Sequence, residues 1–277
     1  MIKQLLCATA LTLTLGSGGQ SAAATGPHYI ALGDSRAAAP TWTSPLTGDG
    51  CGRTTDAYPG KAAALLGVTF RSVACTGATT EDVMDGQTTG SGRKIAPQIA
   101  ALTADTKLVT LSIGGNDIKW WSLVAPCFSP VGDANCRTNP AVEHAIDSAL
   151  RGLPAKVDRV LAAVVRRASH ARIVVVGHGG IFGPSGCFPE ATISDGDAAF
   201  VARFFDRFNT VLRDAAGRAA GMFIDVSGAA VGHDVCSRTP WFAGNWPDSV
   251  IQVRHPTPLG SKGIARLIVD RLGATPV

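Results

Sequence analysis

The sequence is 277 residues long, with 45% hydrophobic and 17% charged residues and a formal net charge of +4. A chain of this length and apolar content can bury the core of one large domain. Its lysines and arginines are scattered rather than clustered, which excludes a basic nucleic-acid-binding patch and favours an ordinary mixed surface.

The first 24 residues have the pattern of a secretory signal peptide, with an early lysine, a short apolar stretch and small residues that end at Ala24. The apolar stretch is shorter than the roughly 20 residues that a membrane-spanning helix needs. We therefore expect residues 1–24 to be removed and residues 25–277 to form a single exported domain without a transmembrane segment.

Six of the seven cysteines lie beyond this leader, which contains Cys7. An even number of cysteines in an exported chain predicts disulfides, although the residues alone allow many pairings. Pairing in sequence order is the simplest arrangement, and it gives Cys51–Cys75, Cys127–Cys136 and Cys187–Cys236. No close cysteine or histidine pair has the spacing of zinc ligands, so we expect neither a metal nor another cofactor.

In chain order, short apolar runs of strand character alternate with segments of helical period. The runs lie at 28–32, 70–74, 108–113, 172–177 and 222–226. The helical stripes are Ile95, Ile99 and Leu102; Val157, Val160, Leu161, Val164 and Val165; Phe200, Val201, Phe204, Phe205, Phe208, Val211 and Leu212; and a last helix that begins at Thr257-Pro258. This alternation predicts a parallel sheet with helices on both faces.

Three longer stretches, 36–55, 120–140 and 228–256, have no regular pattern and contain cysteines. We interpret them as disulfide-stapled loops of the kind that build binding sites. Their aromatic and apolar residues suit an acyl chain or stacking on a sugar equally well: Trp42, Trp120, Trp121, Phe128, Trp241, Phe242 and Trp246.

Several strand ends carry residues that suit acyl transfer by serine, which needs a nucleophile, a base and donors for an oxyanion. Ser35 follows the first strand in Gly33-Asp34-Ser35, at the sheet edge where open α/β folds bind ligands. Gly77 and Asn116 follow the second and third strands. Each of these segments, taken alone, is equally well an ordinary turn.

Two of the six histidines beyond the leader are placed to act as the base. His178 ends the fourth strand, and His255 precedes the last helix in a proline-rich turn that could hold an imidazole over the sheet edge. The residues alone leave both open.

Taken together, Gly33-Asp34-Ser35, Gly77, Gly115-Asn116-Asp117 and the late His-Pro resemble the four blocks of the SGNH hydrolases, also called GDSL esterases and lipases. The strings ALGDS, ACTGATT and VTLSIGGNDI are most similar to the secreted actinobacterial lipase/esterase branch, which also has three sequential disulfides. The resemblance implies a three-layer α/β/α sandwich with a five-stranded parallel, flavodoxin-like sheet.

The resemblance also implies roles for individual residues. Ser35 would be the nucleophile and His255 the general base, while the Ser35 and Gly77 main-chain N–H groups and the Asn116 side chain would form the oxyanion hole. The expected protein is a secreted, monomeric serine esterase or lipase that cleaves carboxylic esters without metal or cofactor. Its partners would be a small-molecule or lipid ester and, transiently, a lipid surface.

The sequence departs from the family pattern at two positions. The usual aspartate three residues before the histidine is Gln252 here, so we expect the Gln252 main-chain carbonyl to orient His255, with the Asp248 carboxylate as the less favoured alternative. Arg36 stands beside the nucleophile, where it would either favour substrates with a phosphate or carboxylate or simply point at solvent.

Three other functions stay open. A phospholipase and a carbohydrate deacetylase are possible on the same fold, and the missing acidic residue gives some support to a secreted non-catalytic binding protein. The joint presence of Ser35, Gly77, Asn116 and His255 favours the enzyme.

Overall fold

The computed structural model describes residues 28–43, 48–246 and 250–273. The predicted signal peptide and Asp248 lie outside these ranges.

The strands are β1 (Tyr29–Gly33), β2 (Phe70–Ser72), β3 (Gln87–Thr88), β4 (Lys94–Ile95), β5 (Leu108–Ser112), β6 (Arg172–Val176) and β7 (Met222–Ile224). The α-helices are α1 (Ser35–Ala38), α2 (Tyr58–Leu66), α3 (Thr80–Asp85), α4 (Trp120–Val124), α5 (Pro140–Arg167), α6 (Asp195–Arg218), α7 (Val226–Ala229) and α8 (Pro258–Leu272). Short 3-10 turns occupy Gln98–Ala101, Ala125–Cys127 and Cys136–Thr138.

Five strands form one sheet in the order β2-β1-β5-β6-β7, and every neighbouring pair is parallel. All residues of β1 and β5 are buried, as expected for central strands that are covered on both faces. Their register pairs Tyr29 with Leu108 and Gly33 with Ser112, so the two strands end side by side. The predicted three-layer α/β/α fold with a five-stranded, flavodoxin-like sheet is confirmed.

The helices cover the sheet in packed pairs, α2 with α8 and α5 with α6. On α5, Val157, Val160, Leu161 and Val164 are buried as the helical spacing predicts, whereas Val165 is exposed. Within the part of the chain that the structure describes, no helix is both long and apolar enough to cross a bilayer.

The helix predicted from Ile95, Ile99 and Leu102 is wrong. Ile95 ends the two-residue strand β4, and only a 3-10 turn follows at Gln98–Ala101. Pro97 explains the difference, because proline has no N–H to donate and disfavours a helical conformation in the residue before it. The stripe has helical spacing, but the backbone at its centre cannot complete an α-helix.

All three predicted disulfides are present: Cys51–Cys75, Cys127–Cys136 and Cys187–Cys236. The first ties the loop after α1 to the end of β2, and the Thr76 N–H donates to the Cys51 carbonyl next to it. Two of the three stretches predicted as loops are not wholly irregular, since 36–55 includes most of α1 and 120–140 contains α4, whereas 228–256 includes only the last two residues of α7.

Candidate active site

Ser35 lies where β1 turns into α1. Gly33 has a φ of 143°, and a Cβ on it would come within 2.5 Å of the Ser112 carbonyl oxygen, so only glycine fits between the two strand ends. The buried Gln98 amide accepts from the Gly33 N–H at 2.8 Å and donates to the Gly33 carbonyl at 2.9 Å. Asp34 caps α1 by accepting the Arg36 N–H. Ser35 is thereby held rigidly in the first turn of α1.

Asn116 follows β5 on a turn made by two glycines. Its Nδ2 donates to the Ala78 carbonyl at 2.9 Å, which leaves the second N–H of the amide available. The neighbouring Asp117 carboxylate accepts from the Thr80 N–H and hydroxyl, at 3.0 and 2.5 Å. These bonds fasten the turn after β5 to the turn that precedes α3.

Gly77 lies in that second turn, one residue before the carbonyl that Asn116 binds. Its φ of 82° is in the left-handed region that favours glycine, and the residue is exposed. Gly77 is not among the residues that line the cavity described below. The Asn116–Ala78 hydrogen bond joins the turn that contains Gly77 to Asn116, another of the predicted oxyanion donors.

His255 is held by a main-chain carbonyl, but not by the predicted one. Its Nδ1 lies 2.8 Å from the Val253 carbonyl oxygen, while the Gln252 carbonyl accepts the His255 main-chain N–H at 3.2 Å. Residues 252–255 form a tight turn in which Arg254, the third residue, has a φ of 64°. This turn engages the Gln252 carbonyl with the backbone and leaves the Val253 carbonyl to the imidazole.

The surroundings of His255 favour its neutral form. Burial lowers the pKa of the imidazole to about 4, and the nearby Arg36 and Arg254 charges act in the same direction. The main-chain hydrogen bonds of Val253 and Gln252 oppose this effect. At neutral pH the ring can therefore accept a proton.

A cavity of about 280 Å³ opens at the carboxyl edge of the sheet and brings most of the predicted residues together. Ser35, Asn116 and His255 line it, with Gln252 beside them. Of the predicted loop aromatics, Trp42, Trp120 and Trp121 are in its wall, whereas Phe128, Trp241, Phe242 and Trp246 are not. The remaining lining residues are Asp34, Arg36, Gly115, His178, Ile181, Phe205, Val253 and Arg254.

His178, the competing base, lines the same cavity but is far more enclosed. Asn209 binds its main-chain N–H and carbonyl, both at 2.8 Å, and its ring packs on Phe208 with centroids 4.7 Å apart. Nε2 is buried without a partner among the described residues. Burial, then the Arg36 charge, hold the pKa of His178 well below its usual value.

Arg36 does not point at solvent, so that interpretation is wrong. The residue is only 7% exposed, and its guanidinium lies over the Phe242 ring, 4.6 Å from the centroid. Nη2 donates to the Gly179 carbonyl at 3.4 Å. Both contacts come from segments that are distant in the chain.

No sequence pattern identified Gln98, Val253 or Arg254 as parts of this site. Gln98 works through both polar groups of its amide, which only the folded turn brings to Gly33. No group of three or more potential metal ligands occurs in the residues that the structure describes.

Removing the Asn116 side chain should slow turnover strongly. If the Asn116 amide is an oxyanion donor, as the family resemblance implies, we expect Asn116→Ala to lower kcat for ester hydrolysis by roughly 100- to 1,000-fold. Steady-state kinetics with a soluble ester measure this, with the melting temperature checking that the Ala78 contact was not essential to folding. A variant of unchanged stability with near-normal kcat would exclude Asn116 from the oxyanion hole.

A flavodoxin-like parallel sheet that carries a serine, an imidazole and an amide around one cavity at its carboxyl edge has the parts that a hydrolase of acyl esters needs. Comparison with known proteins defines the family: the model of the GDSL-like lipase/acylhydrolase family matches residues 31–262. The chain belongs to this family and is an enzyme that hydrolyses acyl esters.

Individual relatives agree with this assignment. Lipase 1 of Streptomyces coelicolor is 33% identical over 249 residues, which cover 88% of this chain and 85% of that protein. The crystal structure of phospholipase A1 from Streptomyces albidoflavus is similar with a TM-score of 0.71 at 27% identity, covering 90% of this chain and all of that one. The extracellular lipase from Streptomyces rimosus gives a TM-score of 0.69 at 29% identity, covering 87% and 97%.

Proposed function

We propose that this chain is an exported serine esterase or lipase that cleaves carboxylic esters through an acyl-enzyme on Ser35, with His255 as the base. The observation that carries the proposal is the cavity itself, which is lined by Ser35, Asn116 and His255 while the Val253 carbonyl holds His255. Membership of an acylhydrolase family supports the same reaction.

In the first half of the proposed reaction, His255 takes the proton of the Ser35 hydroxyl as the oxygen attacks the ester carbonyl. The negative charge on the former carbonyl oxygen is stabilised by the Ser35 and Gly77 main-chain N–H groups and the Asn116 side chain. Collapse of the tetrahedral intermediate breaks the ester C–O bond, and the alcohol leaves with the proton from His255. Water then attacks the acyl-enzyme in the same way and releases the acid.

Among the described residues, the group at Nδ1 of His255 is the Val253 carbonyl, and we propose that it does the work of the aspartate usual in the family. A carbonyl oxygen accepts the proton of Nδ1, and this fixes the tautomer in which Nε2 has the free lone pair of a base. A neutral carbonyl stabilises the charged imidazolium less than a carboxylate would, so we propose a Ser35–His255 dyad in which orientation is the main contribution of the third group.

The activity should persist to unusually acidic pH. Because burial lowers the pKa of His255 to about 4, the ring is neutral above that pH and protonated below it. We expect kcat/KM for an uncharged ester to rise through about pH 4 and then level off towards neutrality. A pH-rate profile measures this, and an acid limb near the ordinary histidine pKa of about 6.5 would contradict the burial argument.

Export is supported by the signal-peptide pattern of residues 1–24 and by three disulfides, which persist in oxidising compartments. The similar lipase from S. rimosus is described as extracellular. Mass spectrometry of the protein recovered from the medium tests this point, with a mature N-terminus expected near Thr25.

A p-nitrophenyl ester series from acetate to palmitate tests the proposed activity, with Ser35→Ala as the blank for each ester. Hydrolysis by the oxidised wild type that disappears in the variant would support the serine hydrolase, and the preferred chain length would separate an esterase from a lipase. Absence of activity on every ester would contradict the proposal for simple acyl esters.

Phospholipid hydrolysis is the second candidate. The similarity to the S. albidoflavus phospholipase A1 favours it, because that fold match extends over 90% of this chain. Release of fatty acid from a phosphatidylcholine emulsion, compared with release from a triglyceride emulsion, would distinguish this candidate from a lipase.

A further inference from the structure

The cavity beside Ser35 contains an excess of positive charge. Two guanidinium groups line it, those of Arg36 and Arg254, and neither forms a salt bridge with any residue that the structure describes. Among the residues that the structure describes, Asp34 alone contributes a carboxyl group to the lining. Burial raises the pKa of Asp34 to about 7, so it is only partly ionised at neutral pH.

Arg36 is the more enclosed of the two cations and has the weaker set of partners. The residue is 7% exposed, and within the described part of the chain its one side-chain hydrogen bond is the long contact of 3.4 Å to the Gly179 carbonyl. Burial lowers the pKa of Arg36 to about 10, which leaves it charged at neutral pH. Arginine is rarely buried without an ionic partner, because the desolvation of its charge is then uncompensated.

Arg254 is better engaged. Its guanidinium lies over the Trp121 ring, 3.5 Å from the centroid, and it donates to the Asn245 side chain at 2.9 Å. These contacts fix it on the wall of the cavity, although Nε stays buried without a partner. Arg254 therefore adds to the positive potential, while the partners of Arg36 are one long hydrogen bond, the Phe242 ring and the partly ionised Asp34.

We propose that Arg36 is an anion-binding residue of the active-site cavity, and that the enzyme prefers esters with a phosphate or carboxylate group close to the scissile bond. The inference rests on the function proposed above. The planar guanidinium suits both anions, because it presents paired donors to their oxygens. Arg36 and Ser35 line the same cavity, so an anion bound by Arg36 would share that cavity with the bond that is cleaved.

The Arg36 charge also acts on two histidines of the cavity, and that role predicts a different result from anion binding. The Arg36 charge contributes to the lowered pKa of both His255 and His178. If this were its only role, its removal would shift the acid limb of the pH-rate profile upwards by the same amount for every substrate. Selection of an anion instead changes the ratio of rates between charged and uncharged esters at a fixed pH.

Two pairs of esters of matched length measure that ratio and separate the two sources of the anion. Mono-p-nitrophenyl glutarate against p-nitrophenyl valerate tests a carboxylate on the acyl side. Dihexanoylphosphatidylglycerol against dihexanoylglycerol, both at monomeric concentrations, tests a phosphate on the alcohol side. The quantity compared is kcat/KM for the anionic ester divided by that for its neutral partner.

We expect wild type to prefer the anionic ester in at least one pair, and Arg36→Met to lower that ratio by about tenfold or more through loss of a charge-assisted hydrogen bond. Arg36→Lys should retain part of the preference. Arg166→Met, which removes an exposed arginine at the end of α5, should leave the ratio unchanged. An unchanged ratio in both pairs, or an equal loss on charged and uncharged esters, would overturn the proposal.

A measurement on wild type alone covers the case in which Arg36→Met does not fold. An ether-linked analogue of dihexanoylphosphatidylglycerol should inhibit the hydrolysis of p-nitrophenyl valerate about tenfold more strongly than the uncharged diether. Equal inhibition by the two ethers would contradict anion binding. Inactivity of wild type on all four esters would instead refute the proposed function, so the two failures can be told apart.

Discussion

Ser35→Ala is expected to abolish ester hydrolysis, with kcat reduced by about 10⁴- to 10⁶-fold, because without the hydroxyl no acyl-enzyme can form. The loss should appear in kcat rather than in KM, since the cavity walls that bind the substrate are unchanged. Stopped assays with a high concentration of enzyme are needed to measure the residual rate.

The fold should not suffer from this change. The Ser35 main chain is placed by Gly33, Gln98 and Asp34, and none of these contacts involves its hydroxyl. The melting temperature of Ser35→Ala should therefore equal that of wild type within a degree or two. Ser122→Ala is the matched control, because Ser122 is an exposed serine of α4 that does not line the cavity, and its activity should be normal.

The second large effect is expected from His255→Ala, which should lower kcat by roughly 10⁴-fold or more by removing the base that activates Ser35. His255→Gln should be no more active than His255→Ala. Its amide could still bind the Val253 carbonyl, but it cannot accept the proton of Ser35. Activity measured across pH would show whether hydroxide replaces the base in part.

His170→Ala is the control for this substitution, since His170 is exposed and outside the cavity lining, and its activity should match wild type. The decisive comparison is with His178, which lines the same cavity. A larger loss from His178→Ala than from His255→Ala would transfer the role of base to His178. A smaller loss would agree with its enclosed Nε2.

The position of Ser35 was predictable because the information is local. An apolar strand that ends at Gly-Asp-Ser places the serine at the carboxyl edge of a parallel sheet, and the central position of β1 follows from its continuous burial. The strand runs were predictable in the same way, whereas the pairing of the three disulfides was predicted from sequence order and the family resemblance.

The orienting carbonyl was not predictable, because it depends on one backbone angle. Spacing along the chain pointed to Gln252, the position of the family's aspartate. The positive φ of Arg254 closes a turn that engages the Gln252 carbonyl and gives His255 the Val253 carbonyl instead. A residue count cannot show which of two neighbouring carbonyls faces a side chain.

The burial of Arg36 depends on tertiary contacts. Its partners, Gly179 and Phe242, lie more than 100 residues further along the chain. The helix predicted at 95–102 failed for a local reason rather than a tertiary one. Pro97 prevents an α-helix there even though the apolar residues have helical spacing.

The measurement that tests the central claim most directly is the reaction of the oxidised wild-type protein with a fluorophosphonate probe, followed by peptide mass spectrometry. The account predicts one covalent adduct, on Ser35, that is absent from Ser35→Ala and strongly slowed in His255→Ala. An adduct on another serine would show that this serine, and not Ser35, is the nucleophile. No adduct at all, in protein with its three disulfides formed, would contradict the serine mechanism and favour a binding protein that uses the same cavity.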